Sequence, residues 1–152
     1  MIFPGKLRQD ACVGLVAPAS PVTWEERLKC EQRLCELGFS VIVGDSLLRD
    51  DNCYGYLAGG ARERAWDVNR MFADSRVEAV FCTRGGYGSM ELLPFLDYRC
   101  IGRNPRIFAG FSDITAMHTA LWKCCSLVTF HGPMVRSNLL GQPDGYTLES
   151  FL

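Results

Sequence analysis

The chain has 152 residues, 48% of them hydrophobic and 22% charged, with 16 Lys and Arg against 17 Asp and Glu for a net charge of −1. That length suits one domain with a real core, and the apolar fraction is too high for a disordered segment. The near-neutral balance excludes a basic footprint for nucleic acid or an anionic membrane surface, and no apolar run approaches the roughly 20 residues of a membrane span.

Residues 1–10 hold no long apolar stretch behind their few charges and do not read as a signal peptide. Residues 11–17 are almost wholly apolar, as a strand buried on both faces should be. Thr23 and Glu26 predict a capping box, Cys30, Leu34 and Leu37 follow at helical spacing, and Gly38 stands where a helix ends. Residues 39–43 read as the second strand. Residues 45–60, polar and Gly-rich with Tyr54 and Tyr56, read as a long loop. Ala61, Ala65, Val68 and Phe72 mark one face of a second helix.

Residues 78–82 are the third predicted strand, ending in Arg84-Gly85-Gly86-Tyr87-Gly88. Residues 89–96 carry Leu92, Leu93 and Leu96 in a helix kept short by Pro94, and 97–105 read as a connector with one helical turn. The fourth strand spans 107–109. Ile114, Met117, Leu121 and Cys125 form the stripe of the next helix, and 127–130 is the fifth strand, stopped by Gly132-Pro133. Residues 136–146 have the Gly, Pro, Asn and Asp of a linker or loop. Residues 147–152 resemble the first turns of a helix that stops without a cap, an ending expected of a chain cut from something longer.

Strand and helix alternate, so the expected fold is α/β: a parallel sheet of about five strands with helices on both faces. The expected division is an α/β domain over 1–135, then a linker and helix start over 136–152. In such sheets ligands bind beyond the carboxyl ends of the strands. Residues 17–20, 84–88, 110–113 and 131–134 all fall there, so the site is expected on that edge.

Ser112 lies on a strand-to-helix turn, Gly110-Phe111-Ser112-Asp113, where α/β enzymes present a nucleophile and a helix N-terminus favours negative charge. The same position suits a helix cap, a role open to Ser112 or Asp113. The motif departs from G-x-S-x-G, with Ile114 in place of the last glycine. Gly85, Gly86 and Gly88 lack the Lys-Ser/Thr of a P-loop and the spacing of G-x-G-x-x-G; oxyanion donors or a close backbone approach to a ligand suit them, and a plain tight turn is the alternative. Arg84 is either a carboxylate-binding residue or half of a buried ion pair. His118, six residues after Ser112 on one helix, points away from it and reads as structural. His131 sits at the productive edge as a site lining or a structural residue, and neither histidine makes a Ser–His pair. The eight cysteines show no C-x-x-C spacing, so free thiols in a reducing cytosol are expected.

Five ordered blocks carry a family resemblance: Val16-Ala17-Pro18-Ala19-Ser20, Tyr56-Leu57-Ala58-Gly59, Arg84-Gly85-Gly86-Tyr87-Gly88, Gly110-Phe111-Ser112-Asp113-Ile114-Thr115-Ala116 and Thr129-Phe130-His131-Gly132-Pro133-Met134. Together they resemble the N-terminal domain of the LD-carboxypeptidases, serine peptidases that include muramoyltetrapeptide carboxypeptidase and the microcin C self-immunity protein. The resemblance implies a flavodoxin-like or class I glutamine amidotransferase-like sheet. It also implies hydrolysis of an L,D-amide bond in peptidoglycan-derived peptides, with release of terminal D-alanine. By resemblance Ser112 is the nucleophile, the backbone N–H groups of Asp113 and Gly86 are the oxyanion donors, and no metal or organic cofactor is needed. Arg84, Gly85 and Tyr87, beside those donors, are expected to bind the peptide. The glutamate and histidine of the triad would come from a second, C-terminal domain, so the chain alone is expected to be inactive. The expected location is the cytoplasm and the expected partner a small muropeptide or peptidyl conjugate, with no nucleic acid or membrane. The open edge and the tail offer surfaces for a homodimer. A non-catalytic peptide- or nucleotide-binding α/β module is the alternative function.

Overall fold

The computed structural model describes residues 1–48, 55–141 and 143–151. Five parallel strands form one sheet: β1 (Cys12–Val16), β2 (Ser40–Val43), β3 (Val77–Cys82), β4 (Ile107–Gly110) and β5 (Phe130–His131). Their spatial order is β2-β1-β3-β4-β5. This is the flavodoxin-like order, in which the winding reverses between β1 and β3.

The strands read as apolar runs because both faces are covered. Val13 and Leu15 of β1 and Ala79 and Phe81 of β3 join one core with Cys30 and Leu34 of α1 (Trp24–Glu36). Their neighbours Val16, Val77, Val80 and Cys82 join the other, with Phe108. That second core is closed by Ala65, Val68 and Phe72 of α2 (Ala61–Ala73), Ile101 of α3 (Tyr98–Arg103) and Met117 and Leu121 of α4 (Thr115–Cys125). From Ala79 to Cys82 successive residues thus serve opposite layers, as the pleat requires, while Val77 lies beyond a register shift at Cys12/Val13 and joins the same layer as Val80. The predicted cap of α1 is present: the Glu26 N–H donates to the Thr23 hydroxyl at 3.1 Å and the Thr23 N–H to the Glu26 carboxylate at 3.0 Å. Gly38 follows at φ +95, ending the helix in the left-handed conformation.

The predicted loop 45–60 contains a 3-10 turn, Asp45–Leu47, held by buried Asp67 of α2. The Asp67 carboxylate accepts from the Asp45 N–H (2.8 Å), the Ser46 N–H (2.9 Å) and the Ser46 hydroxyl (2.5 Å). Tyr54 lies outside the described residues. Ser89–Phe95 is a 3-10 segment rather than an α-helix, as Pro94, which has no N–H, allows.

The fifth strand is shorter and later than the apolar run 127–130 predicts. Ala109 pairs with Phe130 and Gly110 with His131, while Leu127 bridges Ile2 instead. The Ile2 N–H donates to the Ser126 carbonyl at 2.7 Å and the Val128 N–H to the Ile2 carbonyl at 2.8 Å. Ser126, left-handed at φ 54, turns the chain out of α4 so that one apolar run serves two partners.

The Gly/Pro-rich stretch after residue 135 is not uniform. Val135–Leu139 makes one π-type turn with Val135 and Leu139 buried in the α1 core. Farther on, α5 (Gly145–Phe151) sets the Phe151 ring 4.8 Å from that of Phe81. Among the described residues no helix is long and apolar enough to cross a membrane.

Candidate active site

Backbone hydrogen bonds tie the predicted turns into one edge. β1 and β3 end together, with the Thr83 N–H on the Val16 carbonyl at 2.9 Å. The Ser20 N–H reaches the Gly85 carbonyl at 3.4 Å, and the Ala58 N–H the Ala19 carbonyl at 3.0 Å. On the far side the Gly132 N–H donates to the Gly110 carbonyl at 3.2 Å, and the Arg136 N–H to the Thr83 carbonyl at 2.9 Å.

Ser112 stands at the end of β4 with φ 61, a left-handed backbone rare outside glycine. The strand runs straight into this residue and a 3-10 turn, Ser112–Ile114, leads into α4. The Ser112 hydroxyl has no hydrogen-bond partner among the described residues, so it does not cap the helix. Gly85 packs against it: a Cβ on Gly85 would lie 3.1 Å from Ser112 Cβ, 3.3 Å from Ser112 Oγ and 3.5 Å from the Asp113 nitrogen. Gly86 has φ +124, and a Cβ there would fall 2.0 Å from Ser20 Oγ. Only glycine fits such a turn at such an approach. The N–H groups of Gly86 and Asp113 donate to no acceptor among the described residues. The Asp113 carboxylate is turned away to accept from the Ser89 N–H at 2.8 Å, and the Asp113 carbonyl accepts from the Ser89 hydroxyl at 2.5 Å.

The remaining candidates surround this point. Arg84 is half-buried and donates no hydrogen bond among the described residues. Its charge reaches Glu26, whose carboxyl is held below the usual range by Arg136, then by the Thr23 N–H, with Arg84 adding a smaller share. Arg136 occupies Glu26 Oε1 with both Nε (3.0 Å) and a terminal nitrogen (2.7 Å). Tyr87 is exposed and meets exposed Tyr56 edge to face at 5.8 Å.

His118 uses both ring nitrogens. Nε2 lies 2.8 Å from the Gly110 carbonyl, which can only accept, so Nε2 carries the proton. Neutral Nδ1 then accepts from the Thr129 hydroxyl at 2.9 Å. Burial pushes the His118 pKa down, against the smaller opposing effect of the Gly110 carbonyl. His118 therefore pins the strand that carries Ser112. His131 is exposed on β5, its ring 6.0 Å from that of Phe111.

A family model described as the LD-carboxypeptidase N-terminal domain matches residues 13–132. The chain belongs to the LD-carboxypeptidase family. It is 41% identical over 136 residues to a Bacillus subtilis protein named probable murein peptide carboxypeptidase, covering 90% of this chain and 42% of that one. It is 35% identical over 126 residues to the murein tetrapeptide carboxypeptidase of Pseudomonas aeruginosa, covering 82% of this chain and 40% of the relative. Among solved structures, the microcin C7 self-immunity protein MccF in its apo state superposes with a TM-score of 0.91 at 30% identity, over 99% of this chain and 46% of that one. The chain thus spans under half the length of these relatives.

In this LD-carboxypeptidase domain the sequence reading missed Arg64. It lies on α2 between Glu63 and Ala65 and is 1% exposed. Its Nε donates to the Gly59 carbonyl at 2.9 Å, one terminal nitrogen to the carbonyls of Pro18 (2.5 Å) and Gly88 (3.0 Å), and the other to the Glu91 carboxylate at 2.8 Å. The available signal was an arginine one position before Ala65, on the flank of the stripe Ala61, Ala65, Val68, Phe72. A charge at the margin of an apolar face is ordinarily solvated, and only the tertiary fold brings three carbonyls to it.

Proposed function

We propose that this chain is the nucleophile-bearing part of a serine LD-carboxypeptidase, and that Ser112 attacks the carbonyl of an L,D-amide bond in a peptidoglycan-derived peptide. The observation that carries the reading is the Ser112 elbow: a left-handed serine with an unpaired hydroxyl, at the end of a parallel strand and against the Gly85 backbone. An elbow of this kind exposes the hydroxyl at the carboxyl edge of the sheet. Attack develops negative charge on the carbonyl oxygen, and the unpaired N–H groups of Asp113 and Gly86 are the donors assigned to it. Fixed donors need no reorganisation as the charge forms, and removal of one such donor costs about 3–4 kcal/mol of transition-state stabilisation. The intermediate then collapses, the C–N bond breaks, and D-alanine leaves with a proton on its nitrogen; water releases the acyl group from Ser112. Arg84, with no hydrogen-bond acceptor among the described residues, and Gly85 and Tyr87 line the peptide site.

A base must take the Ser112 proton. His118 is committed at both ring nitrogens, and the Ser112 hydroxyl has no partner among the described residues, so we assign the base and its carboxylate partner to residues outside these 152, in keeping with relatives more than twice as long. The seven described cysteines are all free, in keeping with a reducing cytoplasm. The test is D-alanine release from an L,D-linked tetrapeptide, assayed with the 152-residue chain and with a longer product of the same coding region. Release is expected only from the longer form and is abolished by Ser112→Ala. Equal release from the 152-residue chain would mean a base within it, with His131 the first residue to substitute.

A further inference from the structure

We propose that Arg64 is the positioning residue of this site: its guanidinium sets the Gly85–Gly88 turn against the Ser112 elbow. The name of the site rests on the reading above, but the geometry does not. Arg64 binds the carbonyls of three separate turns, at Pro18, Gly59 and Gly88, and none of its side chain is exposed. Two short paths lead from it to the reacting groups. From Gly88 the chain passes to Ser89, whose N–H and hydroxyl grip Asp113, the neighbour of Ser112. From Pro18 it passes to Ala19, which accepts from the Ala58 N–H, and to Ser20, whose N–H holds the Gly85 carbonyl. Gly86 thus lies between two turns that answer to one side chain.

Stability alone is a poor reason for this arrangement. A buried charge carries a desolvation cost that a well-packed apolar side chain would avoid. Its one carboxylate partner among the described residues, Glu91, has a side chain 41% exposed. What the guanidinium supplies is shape: a planar fork of five donors that reaches several acceptors in fixed directions. A lysine ammonium keeps the charge but presents its donors from one atom, so it cannot span Gly59 and Gly88 at once.

The test compares Arg64→Lys and Arg64→Met with Leu34→Ala, a destabilising change in the core on the α1 face, by amide hydrogen exchange on the 152-residue chain. The reporters are the amides that bond between turns, those of Ser20, Ala58 and Ser89, against Leu15 and Val80 in the sheet. A positioning role predicts that both Arg64 variants speed the turn amides at least about tenfold relative to the strand amides, and move the Gly86 and Asp113 N–H resonances. Leu34→Ala should speed both sets by a common factor and leave those resonances in place. If the Arg64 variants behave like Leu34→Ala, or if lysine keeps wild-type turn protection, the proposal is overturned. Should Arg64→Met not fold, Arg64→Lys decides. No turnover enters these readouts, so failure of the hydrolase reading would leave them unchanged.

Discussion

Substitutions at Ser112 separate a strained elbow from a helix cap by stability alone. With φ 61 the residue occupies a region that costs a side-chain-bearing residue about 1–2 kcal/mol. Ser112→Gly removes that cost and adds about 0.5–1 kcal/mol of glycine chain entropy, a net gain of about 0–1.5 kcal/mol. For a domain of this size, that raises Tm by up to about 6 °C. Ser112→Ala keeps the backbone penalty and deletes a hydroxyl with no partner among the described residues, so its effect should stay within about 0.5 kcal/mol. Ser112→Val places a β-branched side chain in the left-handed region and should cost more than either. The expected order is Gly, then wild type and Ala together, then Val. A capping serine predicts otherwise: about 1 kcal/mol lost on Ser112→Ala and a few tenths lost on Ser112→Gly. Thermal melts of the four proteins at one pH decide it, and a Gly variant less stable than wild type would refute the strained elbow.

Acid should weaken the fold through His118. Its folded pKa lies below the unfolded value of about 6.5, so the unfolded chain binds the extra proton first. Stability from this group is complete above about pH 6.5 and declines as pH falls toward the folded pKa; urea midpoints between pH 7.5 and 5.5 should fall less in His118→Gln than in wild type. Gly86→Ala should cost more than about 2 kcal/mol, since φ +124 and a Cβ 2.0 Å from Ser20 Oγ act together; a near-neutral variant in urea denaturation would show that the turn is looser than described. A maleimide should label exposed Cys35 and Cys124 and spare Cys30 and Cys82 in the native chain. Burial pushes the Cys30 thiol up to about 12 and Cys82 farther in the same direction, and early labelling of either by peptide mapping would contradict the two-layer core.

Local signals carried most of the fold. The strands β1 and β3 announced themselves because a parallel sheet covered on both faces needs unbroken apolar runs, and α1 because Thr23 and Glu26 make a reciprocal cap. The elbow was legible because Gly110, Ser112 and the stripe from Ile114 to Cys125 fall in sequence. What escaped depends on distant partners. Leu127 looks like the start of a strand, and only Ile2, at the other end of the chain, claims it. Asp45–Leu47 looks like loop until Asp67 supplies its acceptor. Arg64 looks like a surface charge until Pro18, Gly59 and Gly88 converge on it.

The most direct measurement is the position of a covalent adduct. A fluorophosphonate is applied to the full product of the coding region and the tryptic digest is mapped by mass spectrometry. The adduct should sit on peptide 107–123, which contains Ser112 as its only serine, and vanish in Ser112→Ala while Ser20 stays unlabelled. An adduct on another peptide, or one that survives Ser112→Ala, would contradict the assignment of Ser112 as the attacking group.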